Sequence, residues 1–180
     1  VMAFWSFGSE VPTEPLIAAL VEAGVEVALP RIADGRLEPR TWAPGEPVTE
    51  THFGAWEPEG GRVIEPGEID VVATPGVAFD RSCGRVGYGG GFYDRFLPRT
   101  PALRVAMAFG VQVVEDRLPG ASFDLPVHAI VTETETIRCG GVQVAVRSAR
   151  SGLNTDSDAR YKERSGRTGP DRITRPEETA

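Results

Sequence analysis

The amino-acid sequence predicts a three-layer α/β domain built around a mostly parallel sheet. Short apolar runs bounded by turn residues recur along the chain, and the first two are separated by an amphipathic helix pattern. This strand-helix-strand order is typical of parallel strands joined by a right-handed crossover. The 180 residues, with a net charge of −7, are enough for one domain with its own core.

The chain opens with the clearest of these strand-helix-strand units. Residues 1–7 form an apolar run that predicts a buried strand. Thr13 is typical of a helix N-cap, and Gly24 is a natural end for the helix that follows. A second strand is expected over residues 25–29, ended by Pro30.

The next part of the chain contains a predicted hairpin and several shorter elements. The turn dipeptide Asp34-Gly35 predicts the hairpin. Residues 43–68 are rich in proline, glycine and glutamate, so we expect ordered loop with little regular structure. Apolar runs predict strands over residues 69–73, 103–109 and 129–132, and weaker helical patterns occupy residues 92–97 and 111–114.

The end of the chain differs in composition from the rest. Few large apolar residues occur beyond Arg147, and they are scattered among small, polar and charged ones. Such a segment cannot bury enough surface to offset the entropy lost on ordering. We therefore expect a folded domain over residues 1–147 and a disordered tail over residues 148–180.

Composition excludes several classes of protein. The acidic charge balance argues against a nucleic-acid binder, and no apolar run is long enough for a transmembrane helix. The first residues lack the basic region and cleavage site of a signal peptide. Cys83 and Cys139 can form at most one bridge, and we expect them to be reduced thiols. These observations predict a small cytoplasmic domain that binds neither nucleic acid nor membrane. We expect the protein to be a monomer.

The residues with chemical potential concentrate in a glycine-rich segment. Five glycines fall within residues 84–91, directly before a predicted helix. Glycines in such a place let backbone N–H groups approach an anion closely. The segment is not a P-loop, since it lacks the Gly-Lys-Ser/Thr ending, and it does not have the spacing of the dinucleotide fingerprint. A flexible turn without a ligand is the alternative that composition alone leaves open.

The neighbours of these glycines favour a nucleotide site. Arg85 supplies a cation for a triphosphate, and Phe92 and Tyr93 supply flat apolar faces for a ring system. Asp94 can stabilise the helix dipole, or it can hold Mg²⁺ between phosphates. The segment therefore predicts a nucleotide and metal site facing a planar organic substrate.

Two stretches resemble a known family. TPGVAFD at residues 74–80 and RVGYGGGFYDR at residues 85–95 are similar to the signature of the 5-formyltetrahydrofolate cyclo-ligases, also called methenyltetrahydrofolate synthetases. Weaker matches occur in the family's order at residues 8–13, 29–31, 69–72 and 126–133. The resemblance covers residues 3–139 and implies an α/β sandwich similar to sugar-phosphate isomerases and CoA transferases.

The resemblance implies an ATP-dependent ring closure that requires Mg²⁺. The formyl oxygen on N5 of the reduced folate attacks the γ-phosphate of ATP, and ADP leaves. N10 then attacks the formyl carbon, and phosphate leaves to give 5,10-methenyltetrahydrofolate. Such a phosphoryl transfer depends on positioning and charge neutralisation more than on covalent help from the protein.

Site residues follow from the resemblance position by position. The ATP-binding stretch falls on Arg85, Val86, Gly87, Tyr88, Gly89, Gly90, Gly91, Phe92 and Tyr93. Folate is expected to contact Trp5, Glu10, Tyr88, Gly89, Gly90, Gly91 and Phe92. Catalytic roles are expected for Glu10, Arg85 and Tyr93. From the residues alone, Glu10 can also be an exposed acid before a helix, and Trp5 can be ordinary core packing.

The metal set departs from the family pattern. The family's metal-binding acid falls on Asp94, but its second acid aligns with His128. Histidine is a poor ligand for Mg²⁺, which prefers oxygen. Asp124, four residues earlier, or a water molecule can take that position instead.

Two further departures concern substrate binding. The family begins with a basic helix that grips ATP phosphates, whereas this chain starts at the first strand. Either the sequence is truncated or misannotated at its start, or nucleotide binding is weakened. Phe92 replaces the family's usual tyrosine, which keeps the ring and loses a hydroxyl. A second interpretation is therefore a truncated or diverged family member that binds folate or nucleotide without turnover.

Overall fold

The structure, a computed structural model, describes residues 1–51, 54–120 and 125–139. The two described α-helices are α1 (Glu14–Glu22) and α2 (Phe92–Phe96). The described strands are β1 (Ala28–Ala33), β2 (Arg36–Thr41), β3 (Val48–Glu50), β4 (Trp56–Pro58), β5 (Val71–Thr74), β6 (Ala78–Asp80), β7 (Arg85–Val86), β8 (Leu103–Met107), β9 (Val113–Val114), β10 (Ala129–Val131) and β11 (Thr136–Arg138). Single 3₁₀ turns occupy Pro66–Glu68, Leu97–Arg99 and Gly110–Gln112.

A four-stranded sheet of order β11-β10-β8-β5 forms the centre of the fold. Strands β5, β8 and β10 are parallel, and β11 is antiparallel at one edge. Met2 makes parallel bridges to Val72 of β5 and to Ala28 of β1, which links the β1–β2 hairpin to the sheet. The mixed α/β class with a mostly parallel sheet is therefore confirmed. The three-layer order and the similarity to sugar-phosphate isomerases stay predictions.

Three apolar clusters form the core. The first surrounds Met2 and contains Phe96 of α2. The second lies around Phe79 and Ile130, and the third packs Ile17 of α1 against the start of β1. Burying side chains of this size stabilises the fold by about 1.5–3 kcal/mol each, so α1 and α2 are held mainly by packing.

The first predicted helix and hairpin are confirmed. Helix α1 begins after Thr13 and ends before Gly24, which has a φ of 72°. The Thr13 hydroxyl does not cap the helix, however, because it donates to the Phe4 carbonyl at 2.5 Å and accepts from the Ser6 N–H at 3.0 Å. Strands β1 and β2 pair through the predicted Asp34-Gly35 turn.

The predicted strand bounds needed correction. Residues 1–7 contain only the Met2 bridge, and β1 continues through Pro30. Pro30 pairs with Pro39 of β2. The two residues that lack an N–H donor therefore occupy the same paired position of the hairpin. Residues 43–68, predicted as loop, contain the β3–β4 hairpin. Residues 111–114, predicted as helical, end a 3₁₀ turn and form β9.

The prediction of two reduced thiols is wrong in this structure. Cys83 and Cys139 form a disulfide, with their Cα atoms 6.0 Å apart. Strand β11 returns beside β10 and ends at Arg138, directly before Cys139, while Cys83 lies in the turn after β6. The two residues are 56 positions apart, so only the tertiary fold reveals that they are neighbours.

The described helices are short. The longest, α1, has nine residues, and no described helix has the length and apolar character needed to cross a membrane. The predicted boundary at residue 147 and the predicted tail over residues 148–180 lie outside the described residues.

Candidate active site

A cavity of about 830 Å³ opens where β5 ends. Four stretches of chain line it, within residues 4–10, 30–37, 50–57 and 75–94. The predicted site residues in its wall are Trp5, Glu10, Arg85, Gly87, Tyr88, Gly90, Gly91, Phe92, Tyr93 and Asp94. Val86 and Gly89 belong to the same segment but do not line the cavity. The volume is typical of a site for organic ligands.

Arg85 is a buried cation at this cavity. Its side chain is only 4% exposed, and one guanidinium nitrogen pairs with the Asp94 carboxylate. A second nitrogen donates to the Pro75 carbonyl at 3.4 Å, and the guanidinium carbon lies 6.0 Å from the centre of the Tyr93 ring. The Arg85 Nε atom is buried without a partner among the described residues. The guanidinium therefore retains capacity to donate to a ligand.

Close packing around Arg85 explains why residue 87 is a glycine. A Cβ at Gly87 would lie 2.8 Å from Arg85 Nη1. Because Arg85 is tied to Asp94, its guanidinium cannot move away freely. Gly91 has a different requirement, since its φ of 62° is a backbone conformation that side chains disfavour.

Glu10 brings a carboxylate into the cavity. It accepts a hydrogen bond from the Phe7 N–H at 3.1 Å and another from the Tyr88 hydroxyl. Burial raises the pKa of Glu10, although these two hydrogen bonds oppose the shift. Burial and the neighbouring Glu10 charge raise the pKa of Tyr88 to about 12. The Tyr88 ring also contacts Phe7, with the ring centres 5.5 Å apart.

Tyr93 has a buried hydroxyl with no hydrogen-bond partner among the described residues. Burial raises the pKa of Tyr93, and the Glu10 charge adds to this shift. An unsatisfied buried hydroxyl costs free energy unless something occupies the site. Tyr93 lines the cavity, so a bound molecule can supply the missing acceptor.

The predicted metal residues are not brought together. Asp94 lines the cavity, but His128 precedes β10, at the end of the parallel sheet away from Asp94. There Arg104 N–H donates to His128 Nδ1 at 2.9 Å, and burial lowers the pKa of His128. Asp124 lies outside the described residues, which contain no cluster of three metal-ligating side chains.

One wall of the cavity was missed by the sequence analysis. The β1–β2 and β3–β4 hairpins contribute several residues to it, among them Ile32, Leu37, Trp56 and Glu57. The β3–β4 strands have three residues each, which is too short for a clear alternation of apolar and polar side chains. Only the tertiary contacts bring this hairpin to the site.

These features define an α/β protein with a cavity that offers aromatic faces and carboxylates beside a buried cation. A model of the 5-formyltetrahydrofolate cyclo-ligase family matches residues 1–133. The Haemophilus influenzae 5-formyltetrahydrofolate cyclo-ligase is 34% identical over 144 residues, which are 73% of this chain and 74% of that protein. The Escherichia coli K12 protein of the same name is 36% identical over 143 residues, 75% of this chain and 78% of its own.

Solved structures agree with these sequence matches. The Aquifex aeolicus 5,10-methenyltetrahydrofolate synthetase has a TM-score of 0.69 and 31% identity, over 83% of this chain and 76% of its own. The Mycoplasma pneumoniae 5,10-methenyltetrahydrofolate synthetase, at 17% identity and a TM-score of 0.55, shares the fold over 72% of this chain and 70% of its own. The chain belongs to the 5-formyltetrahydrofolate cyclo-ligase family.

Proposed function

We propose that this protein catalyses the ATP-dependent cyclisation of 5-formyltetrahydrofolate to 5,10-methenyltetrahydrofolate, with release of ADP and phosphate. The observation that carries the proposal is the meeting of Arg85, Glu10 and Tyr93 at one cavity of about 830 Å³. That volume lies near the upper end of the range for organic ligand sites, as two reacting substrates require. Family membership supports the same reaction.

The first step transfers the γ-phosphoryl group of ATP to the formyl oxygen. Arg85 neutralises charge on that group, since its guanidinium is buried and has an N–H without a partner among the described residues. The backbone of residues 85–93, including Gly89 and Val86, follows the phosphates. A buried cation acts strongly here because little water screens it.

The second step closes the ring. N10 attacks the activated formyl carbon and loses its proton, and the phosphorylated oxygen departs as inorganic phosphate. The Glu10 carboxylate takes the N10 proton, which its raised pKa favours. The Tyr93 hydroxyl donates to an oxygen of the departing phosphate and so gains a partner that the described residues do not supply.

Asp94 is the described residue suited to hold Mg²⁺ with the nucleotide. Mg²⁺ in nucleotide sites takes one or two carboxylates together with phosphate oxygens, so Asp94 meets part of this requirement. The ion supplies charge neutralisation to the phosphates when it is bound. Asp94 then has to share its carboxylate between Arg85 and the metal.

The folate ring is proposed to lie against the aromatic part of the cavity. Trp5, Tyr88 and Phe92 line it, and glycines Gly90 and Gly91 leave room beside them. Flat apolar faces of this kind favour a reduced pterin through stacking and burial. We further propose that the protein acts as a monomer in the cytoplasm, where ATP and reduced folates are available.

The test is an absorbance assay for methenyltetrahydrofolate with purified protein, 5-formyltetrahydrofolate and ATP·Mg. We expect turnover by the wild type and a loss of about 100-fold or more in Arg85→Gln, since one catalytic charge contact is removed. Arg117→Gln is the matched control, because Arg117 is exposed and does not line the cavity. Folate binding without product by the wild type would instead identify a family member that binds without turnover.

A further inference from the structure

The β3–β4 hairpin places two further carboxylates at the cavity, Glu50 and Glu57, in addition to those of Glu10 and Asp94. Glu57 of β4 is half-buried, whereas Glu50 of β3 is exposed. Neither residue belongs to the signature that predicted the site. Glu57 is therefore a candidate for a role in recognising the substrate rather than in phosphoryl transfer.

The carboxylate of Glu57 has acceptor capacity to spare. A backbone hydrogen bond from Ile32 holds it, and burial raises its pKa. The neighbouring Arg31 acts on it only as a charge at a distance, because the Arg31 guanidinium donates to the carbonyls of Glu59 at 2.8 Å and Pro58 at 3.5 Å. A carboxylate accepts about four hydrogen bonds, so the cavity side of Glu57 is suited to a ligand that brings paired donors.

A reduced pterin presents such donors at the end of the molecule away from the reacting atoms. Its 2-amino group and N3–H lie side by side, with the spacing that a carboxylate accepts in bidentate fashion. Trp56 and Ile32 line the same cavity and add apolar surface to it. Glu10 is less suited to this task, since it already accepts from Phe7 and Tyr88.

We propose that Glu57 is a specificity-determining residue that accepts hydrogen bonds from the 2-amino and N3–H groups of the pterin. The proposal rests on the proposed cyclisation, since it takes 5-formyltetrahydrofolate as the ligand. Glu57 selects molecules with an amino-pyrimidinone edge and contributes to their affinity for the cavity. It takes no part in the chemical steps.

The test compares 5-formyltetrahydrofolate with its 2-desamino analogue on the wild type and on Glu57→Gln. The wild type should prefer the amino substrate by about 10–100-fold in kcat/KM, since the analogue leaves the Glu57 carboxylate unpaired. Glu57→Gln should raise KM for the folate by a similar factor and lose most of that preference. Its KM for ATP and its kcat should stay unchanged.

Glu59→Gln is the matched control, because Glu59 lies two residues further along the same hairpin, is exposed and does not line the cavity. It should behave as the wild type does. Equal use of the two substrates by the wild type would overturn the proposal, and this comparison needs no variant to fold. Unchanged KM and unchanged preference in a folded Glu57→Gln protein would also overturn it.

Failure of the proposed function gives a different result. If the wild type makes no product, calorimetric binding of 5-formyltetrahydrofolate without ATP tests Glu57 by itself. Weaker binding by Glu57→Gln than by Glu59→Gln would support its role in recognition. Equal binding by both variants, or no binding by the wild type, would overturn it.

Discussion

The local structure around Glu10 explains how a charged residue comes to face an apolar cavity. The Phe7 N–H donates to the Glu10 carboxylate at 3.1 Å, and the Glu10 N–H donates back to the Phe7 carbonyl at 3.2 Å. This reciprocal pair folds residues 7–10 into a tight loop before α1 and directs the side chain into the cavity. Burial then raises the pKa of Glu10, so the folded protein favours the protonated form of this residue more than the unfolded chain does.

The raised pKa gives a prediction for Glu10→Gln. When folding raises the pKa of a group, that group contributes its full stabilisation at pH values below its pKa in the unfolded chain. The stabilisation is lost as the pH rises through the pKa of the folded state. At pH 7, therefore, Glu10→Gln should have a higher free energy of unfolding than the wild type, and the difference should vanish near pH 4. Urea unfolding at the two pH values measures it, and a less stable variant at pH 7 would contradict the expectation.

The same substitution should reduce catalysis. A positioned general base contributes about 100-fold or more to the rate, so Glu10→Gln should lose at least that factor in kcat. In the wild type, kcat should fall on the acidic side as Glu10 becomes protonated, at a pH above the ordinary range for glutamate because burial raises its pKa. A pH-rate profile checks this, and an acidic limb that persists in residual Glu10→Gln activity would assign it to another group.

The close contact between Gly87 and Arg85 gives a further prediction. Gly87→Ala would put a Cβ about 2.8 Å from Arg85 Nη1, and the ion pair with Asp94 prevents an easy shift of that side chain. We expect kcat/KM for ATP to fall about tenfold, as when one charge-assisted contact is displaced. Gly60→Ala is the control, since its Cβ would meet nothing within 4 Å. Equal activity of the two variants would show that Arg85 is not held tightly at Gly87.

At the scale of elements, local signals decided which parts of the fold could be predicted. The Asp34-Gly35 turn and the helix after Thr13 carry their own sequence signals, and both formed as expected. Strand β1 runs past Pro30 because its partner strand also has a proline at the opposite position, which no local pattern reveals. The β3–β4 hairpin and β9 are too short for periodicity, so their position depends on contacts distant in sequence.

The turn between β6 and β7 depends on Asp80, which is 1% exposed. Its carboxylate accepts from the Ser82 hydroxyl at 2.6 Å and from the N–H groups of Ser82, Gly84 and Leu118 at 2.8, 2.9 and 2.8 Å. Burial raises the pKa of Asp80, but these hydrogen bonds outweigh burial and lower it overall. Asp80 therefore fixes the turn that leads directly into Arg85.

Asp80→Asn should destabilise the protein by about 2–3 kcal/mol, because an amide nitrogen cannot accept from the donors that surround it. Ser82→Ala, which removes one of the four donors and leaves the carboxylate, should cost about 1 kcal/mol. The difference in free energy of unfolding between the wild type and Asp80→Asn should become smaller in acid. A carboxylate whose pKa is lowered by folding contributes stability that is lost as the pH falls through the pKa of the folded state. Thermal unfolding at pH 7 and pH 3 measures both effects, and equal losses in the two variants would refute the role of Asp80.

At the scale of the whole molecule, the cavity combines two segments whose site residues could be predicted from the sequence, within residues 4–10 and 75–94, with two that could not, within residues 30–37 and 50–57. Residues 85–94 have a specific glycine pattern, so the arginine, the aromatic residues and Asp94 could be predicted together. Glu57 and Ile32 reach the site through hairpins whose docking depends on the complete fold. His128 lies at the end of the sheet away from Asp94, and a matching position in sequence does not decide at which end of a sheet a side chain lies.

The Cys83–Cys139 disulfide gives a prediction for the whole chain. It joins the turn before Arg85 to the end of β11, across a separation of 56 residues, and a crosslink over such a loop stabilises a protein by about 2–5 kcal/mol. Reductant should therefore lower the free energy of unfolding by this amount, while Cys139→Ser should show the same loss without reductant and no further change with it. Iodoacetamide added in denaturant without reductant should label neither cysteine. Labelling of both under these conditions would show that the native protein lacks the disulfide.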